Sequence, residues 1–360
     1  IDISREEGLK IRAALKKQRE RFQDNVFFAL ALAEGVNLPY LPLSQLLKGR
    51  RLRFRWQNSW RQAFCIYLST DVKEPLIQRA LKAIEEDLDG FVVVLPPSVD
   101  EGSFSSLMQT VHSSLKALLV CWVPQKLSPE DRQLIEEYLG MQQLSLRFPE
   151  LKQTLKERTR TFHQTITDLY YEGRLLYGDG EVYERPSRIG LLPFDKLLAQ
   201  VLDRPLKNIH PLHMSVMPRI EFFSEEQIRK LYKHFILKGK ITLQEAEERG
   251  LTVLIRDLMG PLGLVRTKGR SYVLEVSPEE KLIKHLFDLI GEGTEWFSLV
   301  RALKKGQWGL SDLQLQLVVS SAVASGQVSL YNRDEPVRIT GPETFTRGGF
   351  THLKKAKTIP

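Results

Sequence analysis

The feature that most constrains the fold is a block near the C-terminus whose turn and helix signals resemble those of the preceding segment. Gln307–Ser311 is typical of a tight turn, Ser311–Ala324 of a buried helix, Ser325-Gly326 of a helix stop and Gln327–Tyr331 of a strand. Ser224–Val276, just upstream, contains similar turn and helix-boundary signals. The C-terminal part of the chain is therefore predicted to contain two related modules in tandem.

In the first block, Ser224 and Gln227 match the capping-box pattern at the start of a helix, and Gly239 ends that helix. Two short helical patterns follow, and then Leu264–Leu274 is typical of a hairpin with a basic tip. In the second block the apolar helix is followed by a hairpin pattern over Val328–Ile339. Three helices and then a hairpin is the order of a winged-helix module, so we predict two of them.

Strand and helix patterns alternate between residues 63 and 140. The apolar runs are Ala63–Leu68, Phe91–Leu95 and Ala117–Val123, and the helix patterns are Glu74–Leu88, Ser103–Leu115 and Ser128–Leu139. Short runs rich in Val, Leu, Ile and Phe, separated by helices, favour a small parallel sheet covered by helices.

The predicted fold class is α/β plus α+β: a small parallel α/β unit, a long helix, then tandem winged-helix-like modules. The predicted divisions are an N-terminal helical segment, the α/β unit, a long helix with a hairpin and proline-rich linker, the two modules and a loose basic tail. Their ranges are 1–49, 50–147, 148–220, 221–276, 277–340 and 341–360. The hairpin prediction rests on Asp179-Gly180 between apolar flanks.

Composition narrows the class of protein. The 360 residues carry a formal net charge of +8, which favours a polyanionic partner. The longest apolar runs are too short to span a bilayer, so no membrane partner is predicted. Cys65 and Cys121 lie in apolar runs and are predicted to be free buried thiols in a reducing cytoplasm. The start, Ile1–Ser4, has no initiator Met or signal-peptide pattern and indicates a processed chain or a fragment.

Catalytic signatures are missing from the sequence. It contains no Gly-x-x-x-x-Gly-Lys-Ser/Thr loop and no Gly-x-Ser-x-Gly elbow. His210 and His213 could begin a metal site, but no further ligands stand out, and we favour a role in ordering the proline-rich linker. We therefore predict no cofactor, no metal and no enzyme activity for the chain as it stands, and keep an unrecognised enzyme on the α/β unit as a third possibility.

One candidate nucleic-acid surface lies in Arg50–Trp56. In an extended strand, Arg51, Arg53 and Arg55 share one face and could follow phosphates, with Arg61 nearby. The aromatic residues of the opposite face could stack on bases. The alternative, which we favour, is an edge strand whose aromatics enter the core.

A second candidate is the first hairpin, where Arg266, Lys268 and Arg270 surround Gly269. Such a tip suits the DNA backbone or minor groove, and a solvated hairpin is the equal alternative. Arg256 is the only basic residue of the adjoining helix, so phosphate contact without sequence reading is favoured. Ser311–Ala324 has no cation and is apolar nearly all round, which favours a structural role.

Several landmarks resemble the region that follows the nucleotide-binding core of large P-loop ATPases in bacterial anti-phage systems, the BREX-type ATPases and their relatives. The landmarks are His210–His213, Gly260–Leu264, Trp308–Leu310 and Ser325–Val328, with Leu95–Pro97 and Val123-Pro124 in the α/β unit. The order of features is similar over residues 50–335. Because the Walker motifs are absent, the resemblance implies a non-catalytic C-terminal region.

Two functional hypotheses follow. The first is a DNA-associated or scaffold region of a prokaryotic defence machine, which contacts double-stranded DNA through the first module and other subunits or domains through the second. The second is a protein-interaction adaptor that binds no nucleic acid and whose basic surfaces meet acidic partners.

Overall fold

The structure is a computed structural model that forms two compact units. It describes residues 9, 12–14, 17, 37–38, 41–47, 49–67, 88–96, 116–183, 193–214, 223–346 and 349–356. Unit 1 contains Ile1–Arg55 and Arg61–Pro205, and unit 2 contains Trp56–Trp60 and Leu206–Pro360. Within the described ranges, no helix has the length and apolarity that a membrane span requires.

Unit 1 contains a mixed five-stranded sheet in the order β3-β4-β5-β6-β7. Its strands are β3 (Arg50–Trp56), β4 (Ser59–Tyr67), β5 (Gly90–Val94), β6 (Leu119–Val123) and β7 (Arg174–Tyr177). The three central strands are parallel, and β7 runs antiparallel to β6. All residues of β5 and β6 are buried, as expected for strands covered on both faces. The predicted parallel pairing of three strands is confirmed, and the molecule is mixed α/β.

The two cysteines are free and buried, as predicted. Cys65 of β4 pairs in register with Val92, and Cys121 of β6 pairs with the next residue of β5, Val93. Successive residues of a strand point to opposite faces, so the two thiols lie on opposite sides of the sheet. Two strand spacings, about 9–10 Å, also exceed the Cα separation that a disulfide can bridge.

Two helices follow the parallel strands. Helix α1 (Pro129–Leu144) begins after Ser128, whose hydroxyl accepts a hydrogen bond from the Asp131 amide at 3.0 Å. Helix α2 (Leu151–Tyr171) is the predicted long amphipathic helix, and it packs on α1. The rings of Tyr138 and Phe162 stack between them at 4.0 Å.

Several predicted helices lie outside the described residues. The helix pattern over 103–115 lies wholly outside them, and so does the pattern over 74–88 apart from Leu88. Of the N-terminal helix predicted over 4–34, only residues 9, 12–14 and 17 are described, and these are helical. Before the sheet, β1 (Asn37–Leu38) pairs with β2 (Leu41–Pro42), and a 3-10 turn follows at Leu43–Leu46.

The predicted Asp-Gly hairpin is present at the end of unit 1. Leu176 of β7 bridges to Val182, and the Tyr177 amide donates to the Glu181 carbonyl at 2.9 Å. Helix α3 (Phe194–Val201) follows, and then α4 (Asp203–Ile209). Arg204 of α4 pairs with Asp179 and Glu181, so it holds the tip of the hairpin.

The first block of unit 2 alternates helices and short strands. Helix α5 (Glu225–Leu231) begins at the predicted capping box and continues as a π-helical turn to Ile236. Next come β8 (Lys240–Thr242), α6 (Leu243–Glu248) and a π-helical segment, Leu254–Met259. The first hairpin, β9 (Val265–Lys268) and β10 (Ser271–Leu274), completes a three-stranded sheet in the order β8-β10-β9.

The second block of unit 2 repeats part of this order. It contains α7 (Lys281–Ile290), β11 (Thr294–Glu295), α8 (Trp296–Lys305), α9 (Asp312–Ala324), β12 (Val328–Asn332), β13 (Glu335–Val337), α10 (Glu343–Thr346) and β14 (His352–Lys355). The sheet order is β11-β14-β12-β13.

Strand β14 lies in the segment predicted to be a loose basic tail. It is instead an interior strand, because it pairs with β12 and with β11. Leu353 is fully buried, and the Ala356 amide donates to the Gln327 carbonyl at 2.9 Å. The predicted tail therefore supplies one of the central strands of the second sheet.

Helix α9 is buried nearly all round, as its apolar sequence predicts. Leu317, Val318 and Val319 have no exposed surface, and neither do Ser320 and Ser321. The helix contacts its own block and also the π-helical turn of the first block. One continuous hydrophobic core therefore joins both blocks, whereas the sequence predicts a boundary between residues 276 and 277.

Candidate nucleic-acid interface

The outer face of the first sheet carries exposed cations. Residues paired in register share a face, and Val273 of β10 lies between Lys240 of β8 and Arg266 of β9. Lys268 lies two residues further along β9, so it projects from the same face. All three cations are exposed. On the opposite face, Ile241 and Tyr272 are buried in the core.

A single carboxylate lies against two of these cations. Glu275 follows β10, and its oxygens are 3.3 Å from Arg266 Nη1 and 2.5 Å from Lys268 Nζ. The hydrogen bond from Lys268 lowers the pKa of Glu275, and the positive charges of Lys268 and Arg266 lower it further. The carboxylate is thus charged at neutral pH and partly neutralises the pair.

Arg270 occupies the tip of the first hairpin. The tight turn needs the left-handed backbone of Gly269, which has φ of +60°. The Arg270 carbonyl accepts a hydrogen bond from the Leu243 amide at 3.0 Å, while its side chain is exposed and has no ion pair among the described residues. Strand β8 and the hairpin through Glu275 thus carry four cations and one carboxylate.

Arg256 is exposed on the π-helical segment but is already engaged. Its Nε and Nη2 donate to the two carboxylate oxygens of Asp257 at 2.6 and 2.9 Å. This bidentate bond lowers the pKa of Asp257 and raises that of Arg256. A guanidinium held in this way must leave its carboxylate before it can bind a base or a phosphate.

The arginines of β3 lie as period-two alternation predicts. Arg51 and Arg53 are exposed and Arg55 is half-buried. Phe54 and Trp56 are buried at 0% and 2% exposure, which leaves no ring surface for stacking on bases. Of the two interpretations, the edge strand with its aromatics in the core is confirmed.

Arg61 is wrongly predicted as a nucleic-acid contact. Its side chain is only 4% exposed, and its Nη1 lies 3.4 Å from Asp89 Oδ1. The other oxygen of Asp89 accepts the Gln62 amide at 3.0 Å. Arg61 lies on β4, an inner strand of the sheet, so its charge is used inside the fold and cannot reach a phosphate.

The landmark segment His210–His213 forms hydrogen bonds to the turn that contains the landmark Trp308–Leu310. His210 Nδ1 donates to the Gly306 carbonyl at 2.6 Å, and His213 Nδ1 lies 3.2 Å from the Trp308 carbonyl. The ring of His210 also covers Gly309, where a Cβ would approach it to 2.6 Å. The favoured ordering role is consistent with these bonds, and no cluster with metal-ligand geometry occurs among the described residues.

Two residues of the candidate surface, Lys240 and Glu275, are not among the residues predicted from the sequence. Lys240 joins the candidate surface only because β8 pairs with β10, and Glu275 lies just beyond the hairpin pattern. The alternation of β10 would have placed Glu275 on the same face as Val273, which was the one available signal. For Lys240 the sequence holds no local signal, because its position depends on the pairing of strands that are distant along the chain.

Comparison of the chain with protein-family models, with curated proteins and with solved structures found no match. The proposed function therefore rests on the geometry and charge of the described residues and on the sequence resemblance.

Proposed function

We propose that residues 223–276 form a winged-helix module that binds the phosphate backbone of double-stranded DNA without reading its sequence. The observation that carries this proposal is the shared outer face of Lys240, Arg266 and Lys268, with Arg270 at the hairpin tip. The order helix, strand, helix, helix, hairpin supports the module, as does the strand order β8-β10-β9. Each cation that meets a phosphate releases counterions, which is the main source of non-specific affinity.

The lack of sequence reading follows from the helix beside the hairpin. Specific recognition usually needs Arg, Lys, Asn or Gln side chains directed at base edges from a helix in the major groove. On Leu254–Met259 the only such side chain is Arg256, which is bound to Asp257. Contacts from the hairpin then position the module on the backbone and carry little sequence information.

We propose a scaffold role for the second block. Its longest helix, α9, has no cation and is buried in the core of unit 2, so the second block presents no recognition helix to DNA. The sequence landmarks suggest that the assembly is a prokaryotic anti-phage machine with a P-loop ATPase. The test of this context is the complete reading frame: a Walker motif upstream of Ile1 supports it, and a complete frame without one contradicts it.

The experiment for the DNA proposal is a salt titration of binding to a labelled duplex by fluorescence anisotropy. We expect the quadruple variant K240Q/R266Q/K268Q/R270Q to bind more weakly, with the salt slope reduced by about 0.9 per lost phosphate contact. The matched control removes four exposed cations of the second block, K281Q/K284Q/R301Q/R338Q. Equal slopes for the two variants, or no binding of the wild type at low salt, would refute the proposal.

An interaction adaptor is the second candidate, and Phe297 favours it. This side chain of α8 is 70% exposed, and aromatic side chains are enriched in protein–protein interfaces. Size-exclusion chromatography with the products of neighbouring genes tests this role. A stable complex that F297A disrupts, together with an absence of duplex binding at low salt, would favour the adaptor over the DNA-binding module.

A further inference from the structure

Helix α2 of unit 1 carries a row of cations that the proposed function does not use. Lys152, Lys156 and Arg160 are four residues apart, so they lie along one side of the helix, and all three are exposed. At 1.5 Å of rise per residue, neighbouring members are about 6 Å apart along the axis and the row spans about 12 Å.

Among the described residues, no carboxylate forms an ion pair with Lys152, Lys156 or Arg160. The acidic groups nearby bond to other side chains: Glu137 of α1 pairs with Arg158 at 3.0 Å, and Glu157, which keeps its charge, accepts a hydrogen bond from Gln153 at 2.8 Å. Asp168 accepts from Gln164 at 2.7 Å. Like charges four residues apart on a helix repel each other and reduce its stability. A bound polyanion would remove that repulsion.

We infer that this row is a second binding surface for the phosphate backbone of nucleic acid, separate from the first hairpin. A strand of B-form DNA presents one phosphate per about 3.4 Å of axis, so each 6 Å step of the row covers about two phosphates. A surface for membranes would need exposed apolar residues beside the cations. Instead, the apolar residues Phe162 and Ile166 of α2 are buried in the fold.

The test uses the full chain and compares K152Q/K156Q/R160Q with the wild type. Binding is measured by anisotropy against salt, with a 30-base-pair duplex in one arm and a 30-nucleotide single strand in the other. Each lost phosphate contact lowers the salt slope by about 0.9 on duplex DNA and by about 0.7 on a single strand. The triple variant should therefore lower the slope by about 2.7 on the duplex, or by about 2 if single strands are the ligand. The melting temperature should stay unchanged or rise, because the variant removes repulsion.

The sharper control lies on the same helix. K156Q and R158Q each remove one positive charge, so a long-range effect of net charge is the same for both. Arg158 is already paired with Glu137, so only K156Q should lose a phosphate contact. We expect K156Q to reduce the slope by about 0.9 more than R158Q.

Two outcomes with nucleic acid would overturn the inference: equal salt slopes for K156Q and R158Q, or an unchanged slope for the triple variant. Phosphatidylserine vesicles and polyglutamate serve as alternative polyanions, and a loss of binding by the triple variant that is confined to either of them would also overturn it. Repeating the triple change in the K240Q/R266Q/K268Q/R270Q background separates the two surfaces. If the salt slope falls only with the hairpin changes, the proposed helix surface is refuted and the proposed hairpin surface stands. If the salt slope falls only with the helix changes, the hairpin surface is refuted and the helix surface stands.

Discussion

At the scale of single residues, Arg61 and Asp89 form an ion pair that is almost completely enclosed within unit 1, with side-chain exposures of 4% and 9%. We expect R61M to reduce the free energy of unfolding by about 3 kcal/mol, because it leaves a buried carboxylate without its counter-charge. Scanning calorimetry should show a lower transition temperature. The double variant R61M/D89L removes both charges and should recover most of the loss. A single variant as stable as the wild type would contradict this role for the pair.

The same pair shows the limit of sequence reading at a single position. Alternation along Arg50–Trp56 correctly separated the exposed Arg51 and Arg53 from the buried Phe54. Alternation along β4 places Arg61 on the same face as the buried Ala63 and Cys65, and its partner Asp89 immediately precedes the parallel strand β5. Charge alone suggested an exposed site, whereas the pairing of β4 with β5 encloses the side chain. Local periodicity predicts which face a residue is on, and strand order decides whether that face is covered.

At the scale of elements, the first hairpin has a built-in test of its proposed role, because one carboxylate neutralises two of its cations. E275Q should strengthen duplex binding and raise the salt slope by about 0.9, because it frees a cation for phosphate. The matched control is E279Q, which removes the same charge from an exposed loop position. Equal gains for the two variants would mean that net charge alone acts, and weaker binding of E275Q would contradict a phosphate-binding hairpin.

The pH dependence of the hairpin follows from the same pair. Lys268 lowers the pKa of Glu275 in the folded protein. The ion pair therefore stabilises the fold at pH values above the unfolded pKa, and this stabilisation is lost as pH falls through the folded pKa. Protonation of Glu275 also removes the negative charge that offsets one of the two cations. Wild-type duplex binding should therefore strengthen as pH falls through that lowered pKa, and E275Q should lack this rise.

Strand β14 is the element that sequence reading missed. Hairpins and capped helices were predictable because Gly269, Ser224 and Ser311 act within a few residues. His352–Lys355 offers only Leu353 as an apolar residue, so it lacks the alternation of a strand. It becomes a strand because β11 and β12 supply hydrogen-bond partners on both sides. Partners distant along the chain override a weak local propensity here.

At the scale of the whole molecule, the described part of unit 2 has one core, although its sequence has two sets of helix caps. Helix α9 links the blocks: the Tyr232 hydroxyl of the first block faces Ser320, and burial raises the pKa of Tyr232 to about 12. Capping signals mark where helices begin, and they carry no information on which helices share a core. The boundary predicted at residues 276 and 277 therefore separates segments that pack together.

The shared core predicts that damage at α9 spreads to both blocks. S320D places a carboxylate at a position with no exposed surface, where a buried charge is strongly unfavourable. We expect faster amide hydrogen exchange both in Tyr232–Ile236 and in β12, measured by mass spectrometry. S325D is the control, because it makes the same change at an exposed position just after the helix. Faster exchange confined to β12 would mean that the blocks unfold separately, whereas faster exchange in both segments means that the two blocks open as one cooperative unit.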